Sequence, residues 1–115
     1  MEAGSEIAWI PMDKSFYWMS NHANGVRFDS REFKLCEWQC PIVFDTGSTI
    51  SFIPPSTWER FLYQIEKKLP PWSEYEISED KTMVRVACDE TSYWPMVSLL
   101  VNGYWLEIDP NDYIF

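Results

Sequence analysis

Among the 115 residues, one segment has the residue types and spacing that do chemistry: Asp45-Thr46-Gly47-Ser48-Thr49. It directly follows an apolar run at residues 41–44, and a carboxylate beside buried apolar chain is costly unless its oxygens are hydrogen-bonded. Gly47 lets the chain turn sharply and leaves backbone N–H groups to point at the carboxylate. Ser48 supplies a hydroxyl for the same purpose, and Thr46 can bond across to a neighbouring backbone. A carboxylate held in this way is ready to act as a general base on a bound water. Peptide hydrolysis of that kind needs two facing carboxylates that share one proton, the second donating a hydrogen bond to the substrate carbonyl. Asp-Thr-Gly alone recurs by chance and also reads as a turn with a capping Asp, so its surroundings must decide.

Those surroundings read as short strands around one helix. Residues 7–12 and 16–19 have strand character, and Asn24-Gly25 is a hairpin-type turn signal before residues 26–28. Residues 33–36 lead into a bend bounded by Cys36 and Cys40, and residues 41–44 read as a buried strand feeding Asp45. A second apolar patch, 50–53, precedes Pro54-Pro55. Ser56 then reads as a helix N-cap, with Glu59 completing a capping box. Trp58, Phe61, Leu62, Ile65 and Leu69 recur as one apolar helix face, and Pro70-Pro71 stops it. The acidic stretch 73–81 reads as a solvated loop. Strand character returns at 83–88, 96–101 and 104–108, the last two joined at Asn102-Gly103 as the best hairpin in the chain. The expected fold is all-β with one or two surface helices, in a single domain.

Composition narrows the class. A chain this short buries only about 65% of its unfolded surface, while seven Trp, seven Phe and six Tyr suit a β-rich core or packing against more protein. A net charge of −9 opposes nucleic acid, and Lys67 next to Lys68 is the longest basic cluster. No apolar run approaches the roughly 20 residues that span a bilayer, and the first residues lack the basic and apolar regions of a signal peptide. Three cysteines and one histidine, His22 in a polar stretch read as a loop, make zinc an unlikely cofactor by ligand count, so neither metal nor cofactor is expected. Cys36 and Cys40 could close a small loop or form half of a metal site; Cys88 is left over.

Taken together, Trp9-Ile10-Pro11-Met12, Tyr17-Trp18, Cys36-x3-Cys40, the run from Ile42 to Thr49 and Pro54 resemble the opening of the second lobe of pepsin-like aspartic proteases. In that family a W-[IV]-P-[VL] strand precedes a Y-W strand, a Cys-x3-Cys loop ends five residues before the Asp, and a Pro follows D-T-G-[ST]-[ST]. Val84-x-Val86-x-Cys88, Pro95-Met96-Val97, Val101-Asn102-Gly103 and Ile108-x-Pro110-x-x-Tyr113 resemble the later strands of the same lobe. The resemblance implies an aspartic endopeptidase acting on polypeptides, with Asp45 as the second catalytic aspartate. It implies that Thr46 joins a pair of threonines locking the two lobes together and that Ser48 bonds the outer carboxylate oxygen. Gly47, Ser48 and Thr49 would line the cleft, with Tyr17 and Val43 near the pocket on the leaving-group side. Cys36 and Cys40 would form a disulfide, which implies an oxidising, secreted or lysosomal/vacuolar setting for the parent protein.

The pattern also has gaps. No second D-[ST]-G occurs, so the first lobe, its aspartate and its flap tyrosine are expected outside this chain. The closing hydrophobic-hydrophobic-Gly-Asp strand is not found before Phe115, and the family's counterpart of Cys88 pairs further downstream. These gaps imply an incomplete C-terminal lobe whose partner is the missing N-terminal lobe. Two other readings remain: a non-catalytic relative that keeps the cleft for binding, and a single-lobe homodimer that contributes Asp45 twice.

Overall fold

The structure, a computed structural model, describes residues 7, 9–12, 18–36, 38–48 and 50–114, with the backbone alone for 18 and 21. Among the described residues seven strands and two α-helices follow in order: β1 (Trp18–Phe28), β2 (Arg31–Lys34), β3 (Cys40–Phe44), α1 (Pro55–Lys68), β4 (Tyr75–Ile77), β5 (Val84–Val86), β6 (Val97–Val101), β7 (Tyr104–Ile108) and α2 (Pro110–Tyr113). A 3-10 turn at Cys88–Tyr93 precedes β6. The molecule is mostly β, as the sequence implies, and fits one lobe of the pepsin-like fold.

Five strands form one antiparallel sheet built around β1. Its eleven residues are long enough to pair with β3 through Trp18–Ala23 and then with β2 through Gly25–Phe28 along one edge. The other edge pairs with β6, and β7 lies outside β6. Asn24-Gly25, read above as a turn, instead lies inside β1, at a bulge in the pairing with β6 between Ala23 and Gly25. A glycine is needed there for another reason. Trp105 and Leu100 lie across it, and a Cβ would sit 3.2 Å from Leu100 Cβ and 3.6 Å from the Trp105 ring. The chain reverses at Asp29 instead, which takes a left-handed φ of 54° that Asp tolerates.

The hairpin at Asn102-Gly103 forms as expected. Both residues have positive φ, 49° and 81°, the geometry of a type I′ turn, and Val101 faces Tyr104 across it.

The core lies on one face of the sheet. Val26 and Phe28, two apart and therefore on the same face, meet Phe61 and Ile65 of α1, Leu69 just past its end, and Trp94. Phe61 is the hub, with ring centroids of Phe28 at 5.4 Å, Trp58 at 5.5 Å, Tyr113 at 5.8 Å and Trp94 at 6.0 Å. The expected apolar helix face is therefore the packed one, with Trp58 and Leu62 at its margin. Its start differs from the expectation. The helix begins at Pro55 with Pro54 as N-cap, and Ser56 makes no capping bond. Proline's fixed φ and missing N–H suit the first helical position, so the turn is set before Ser56 is reached. Leu69 closes the other end, its N–H donating to Ile65 O at 2.9 Å.

Asp29 staples three segments together. Its Oδ1 accepts from Met96 N at 3.0 Å and its Oδ2 from Lys68 Nζ at 2.7 Å, in the last turn of α1. Nearby, Tyr113 donates to Pro95 O at 2.6 Å. Burial, then the charges of Asp29 and Asp109, raise its hydroxyl far above the usual tyrosine value, so it remains a donor.

Other expectations are corrected. The acidic stretch contains β4, which pairs with β5 through Tyr75↔Val86 and Ile77↔Val84 and seats Tyr75 on the core. Two half-buried residues at a spacing of two, Tyr75 and Ile77, are hidden in the sequence by the acidic residues around and between them. Strand character expected over 83–88 is confined to β5, and Cys88 lies exposed in the 3-10 turn. Residues 9–12 form no strand, and Pro11 has no N–H for a ladder. Of the expected strand at 16–19, residues 16 and 17 lie outside the described residues. His22, read as a loop residue, sits half-buried in β1, its carbonyl accepting from Asn102 N at 3.0 Å. Residues 41–44 form β3 as expected, but as an edge strand with Val43 47% and Phe44 43% exposed.

Ile65 is fully buried in this core. Ile65→Ala should lower the unfolding free energy by about 2–5 kcal/mol, read as a drop in the urea midpoint. Tyr63→Ala, at a half-exposed position of the same helix, should stay within about 0.5 kcal/mol of the parent.

Candidate active site

The site is a strand end. β3 runs antiparallel to β1 with Ser20 facing Ile42, Met19 facing Val43 and Trp18 facing Phe44, so the next residue, Asp45, leaves the sheet beside the start of β1. A disulfide between Cys36 and Cys40, with Cα atoms 6.1 Å apart, ties the segment after β2 to the first residue of β3. The pairing that the resemblance implied is thus present, and it fixes where β3 begins.

Beyond β3 the chain folds back on the carboxylate. Gly47 N donates to Asp45 Oδ1 at 2.9 Å, and Ser48 Oγ donates to Oδ2 at 2.8 Å. Ser48 N also donates to the Asp45 carbonyl at 3.3 Å, closing the turn. Each carboxylate oxygen therefore has its own donor, supplied within three residues. Gly47 also fits by size: a Cβ there would stand 3.1 Å from Asp45 Oδ1 and crowd the oxygen that its N–H now holds.

Asp45 is exposed, and its pKa lies below the ordinary carboxylate value. The Ser48 hydroxyl is the main cause and the Gly47 N–H the second, with a small opposing effect of desolvation. A group whose folded value is lowered stabilises the fold above its unfolded value, and that contribution is lost as pH falls through the folded value. The loop is therefore best formed when Asp45 is ionised, the state a general base needs.

A lowered value alone does not single out this residue. Asp80, in the turn between β4 and β5, is lowered as well, through Ser78 Oγ at 2.7 Å, Thr82 Oγ1 at 2.8 Å and Thr82 N at 3.2 Å. All three of those donors converge on Oδ1, in a turn they merely close. At Asp45 both oxygens are held, and the ground around it is apolar and open. Val43, Phe44, Ile50 and Ile53 are each at least 40% exposed and Phe52 is 84% exposed. The exposure of 43–44 departs from the buried strand expected over 41–44, and 50–53 is an exposed apolar patch just before two prolines.

Of the other expected site residues, Thr46 is exposed in the turn and Val43 is half-exposed two residues before Asp45. Tyr17 and Thr49 lie outside the described residues. Among the described residues no three His, Cys, Asp or Glu side chains converge as around a metal ion, and no helix is long and apolar enough to cross a membrane.

A strand-end Asp-Thr-Gly-Ser turn on an antiparallel sheet, with this disulfide before it, defines a class that comparison also finds. Residues 2–115 match the family described as eukaryotic aspartyl protease, and the chain belongs to that family. Among curated relatives it is 25% identical over 109 residues to gastricsin of Rattus norvegicus and 24% identical over 117 residues to gastricsin of Mus musculus. Each match covers 95% of this chain and 26% of the relative, so the chain spans about a quarter of the length of the curated relatives it matches.

The disulfide closes a loop of only four residues' separation. The chain-entropy relation gives about 2 kcal/mol for so short a loop. Reduction should lower stability by about that amount and speed amide exchange in β3 more than in β6, as followed by hydrogen exchange.

Proposed function

We propose that this chain is the Asp45-bearing part of an aspartic endopeptidase, in which peptide bonds are hydrolysed between two carboxylates of which it supplies one. The observation that carries the reading is the double hold on Asp45: Gly47 N–H on one oxygen and Ser48 Oγ on the other. That arrangement keeps a carboxylate ionised and fixed while its remaining lone pairs face outward.

In the proposed reaction, one carboxylate of the pair takes a proton from a bound water as the water oxygen attacks the peptide carbonyl carbon. The partner carboxyl, which holds the shared proton, donates it to the carbonyl oxygen. The tetrahedral intermediate collapses as the first carboxyl passes the proton it took from water to the amide nitrogen, the C–N bond breaks, a hydroxyl of the intermediate returns its proton to the partner carboxylate, and a new acid and a new amine leave. Thr46 would meet its counterpart across the pair, while Thr49, Tyr17 and Val43 would line the substrate cleft. The exposed apolar residues beside Asp45 are where a first lobe, carrying the second carboxylate, would seat. The disulfide suits an oxidising setting, secreted or lysosomal/vacuolar.

The test is cleavage of an unfolded protein substrate at about pH 3.5–5, the range a carboxylate dyad implies. The chain would be assayed alone and with the first lobe of a gastricsin supplied in trans. Cleavage should require a second carboxylate, from that lobe or from a second copy. It should fall by at least about 10³-fold in Asp45→Asn and be blocked by a transition-state-mimic inhibitor. Undiminished cleavage by Asp45→Asn contradicts the reading. So does silence from the folded chain under both conditions, which leaves a binding module.

A further inference from the structure

The chain has four asparagines, and the side-chain amide of each can be attacked by the backbone nitrogen of the residue that follows. That nitrogen adds to Cγ, and its proton leaves with the amide group as ammonia, so a cyclic succinimide remains. Water then opens the ring at either carbonyl and gives aspartate or isoaspartate, one water entering for each ammonia lost. The reaction needs a backbone nitrogen free of hydrogen bonds and room for the chain to turn the side chain onto it.

Three of the four asparagines fail that requirement. After Asn21, His22 N donates to Ser20 Oγ at 3.3 Å. After Asn111, Asp112 N donates to Asp109 O at 2.8 Å. After Asn24 comes a glycine, the residue type that shields its nitrogen least. Gly25, however, is buried inside β1 between Lys34 of β2 and Leu100 of β6, with Leu100 and Trp105 packed against it. Asn24 can react only when the central strand of the sheet opens, and such strands open least readily.

Asn102 differs in each respect. It is exposed at the tip of the β6–β7 hairpin, and the Gly103 N–H has no acceptor among the described residues. Apart from its chain neighbours, no atom lies within 4 Å of where a Gly103 Cβ would stand. Pairing ends at Val101 and Tyr104, so the tip can turn without breaking the ladder. The same side chain also holds a contact that the reaction would end. Its Nδ2 donates to Trp9 O at 3.3 Å, joining the segment before β1 to the hairpin. A carboxylate has no proton to donate there, and isoaspartate adds a carbon to the main chain of a two-residue turn.

We propose that Asn102 is a self-modification site, whose deamidation with water as the only co-reactant frees the segment at Trp9 from the hairpin tip. The site is independent of Asp45 and of the function read from it.

The folded chain would be incubated in mildly alkaline oxygen-18 water, and peptide mass spectrometry would locate the label that ring opening introduces. Label should enter at Asn102 at least about tenfold faster than at Asn24, because the tip needs no strand to open. In the urea-unfolded chain the two Asn-Gly pairs should react at similar rates. Asn102→Gln, which would have to close a larger ring, should take up no label at that position. In the modified chain the Ile10 amide nitrogen-15 signal should move, since that nitrogen shares a peptide group with Trp9 O. Equal labelling of Asn24 and Asn102 in the folded chain overturns the proposal, as does faster labelling at Asn21 or Asn111. An Asn102 still unlabelled when the unfolded chain has reacted overturns it too. So does a preference that persists in urea, or an Ile10 signal that stays in place.

Discussion

The pairing of β3 with β1 is the constraint from which the rest of the site follows. β3 touches the sheet along one edge only, so its direction and end point come from the register of Trp18, Met19 and Ser20 against Phe44, Val43 and Ile42. Slipping that register by one residue would turn every β3 side chain to the other face and move Asp45 off the strand end. Two features oppose a slip. The disulfide pins Cys40 from one side, and β1 is itself held by β2 and β6 beyond the crossing. The α1 core, centred on Phe61 and Ile65, stabilises the part of β1 that carries Val26 and Phe28. Packing energy is thus stored at one end of a strand whose other end aligns β3 and, with it, Asp45.

Three aspartates in this fold show how local partners divide one side chain into different uses. Asp29 takes a left-handed turn and joins β1, α1 and the segment before β6 through Lys68 and Met96. As a half-exposed ion pair, its link to Lys68 contributes at most about 1 kcal/mol, but it fixes where three segments meet. Asp80 gathers donors onto one oxygen and closes a hairpin. Asp45, like Asp29, has one donor on each oxygen, but both of its donors come from within three residues, and the side chains of Val43 and Phe44 just before it are exposed. The loop is closed by its own residues, Gly47 and Ser48. The same division of labour separates the two faces of the sheet. One is buried under α1, and the other lays Trp105 across Gly25.

Much of this was legible from local patterns. The α1 face could be read because helical spacing places Phe61, Ile65 and Leu69 together whatever they pack against. The Asn102-Gly103 hairpin could be read because few residues tolerate two positive φ values in succession. The Asp45 turn was readable for the same reason, since Gly47 and Ser48 act within three residues of it. What failed were judgements that depend on distant chain. Asn24-Gly25 carried a turn signal, yet the glycine answers to Trp105, eighty residues away. The short β4–β5 pair was hidden by glutamates on its solvent side. Exposure of β3 could not be read from an apolar run, because the run does not say whether anything covers it.

The central claim is that the loop holds Asp45 ionised by itself, through Gly47 and Ser48. Carboxylate carbon-13 titration of Asp45 in this chain tests it directly. The midpoint should lie below the ordinary value of 3.8 in the parent chain and rise toward that value in Ser48→Ala. A midpoint at or above 3.8 in the parent, unchanged by the substitution, would contradict it.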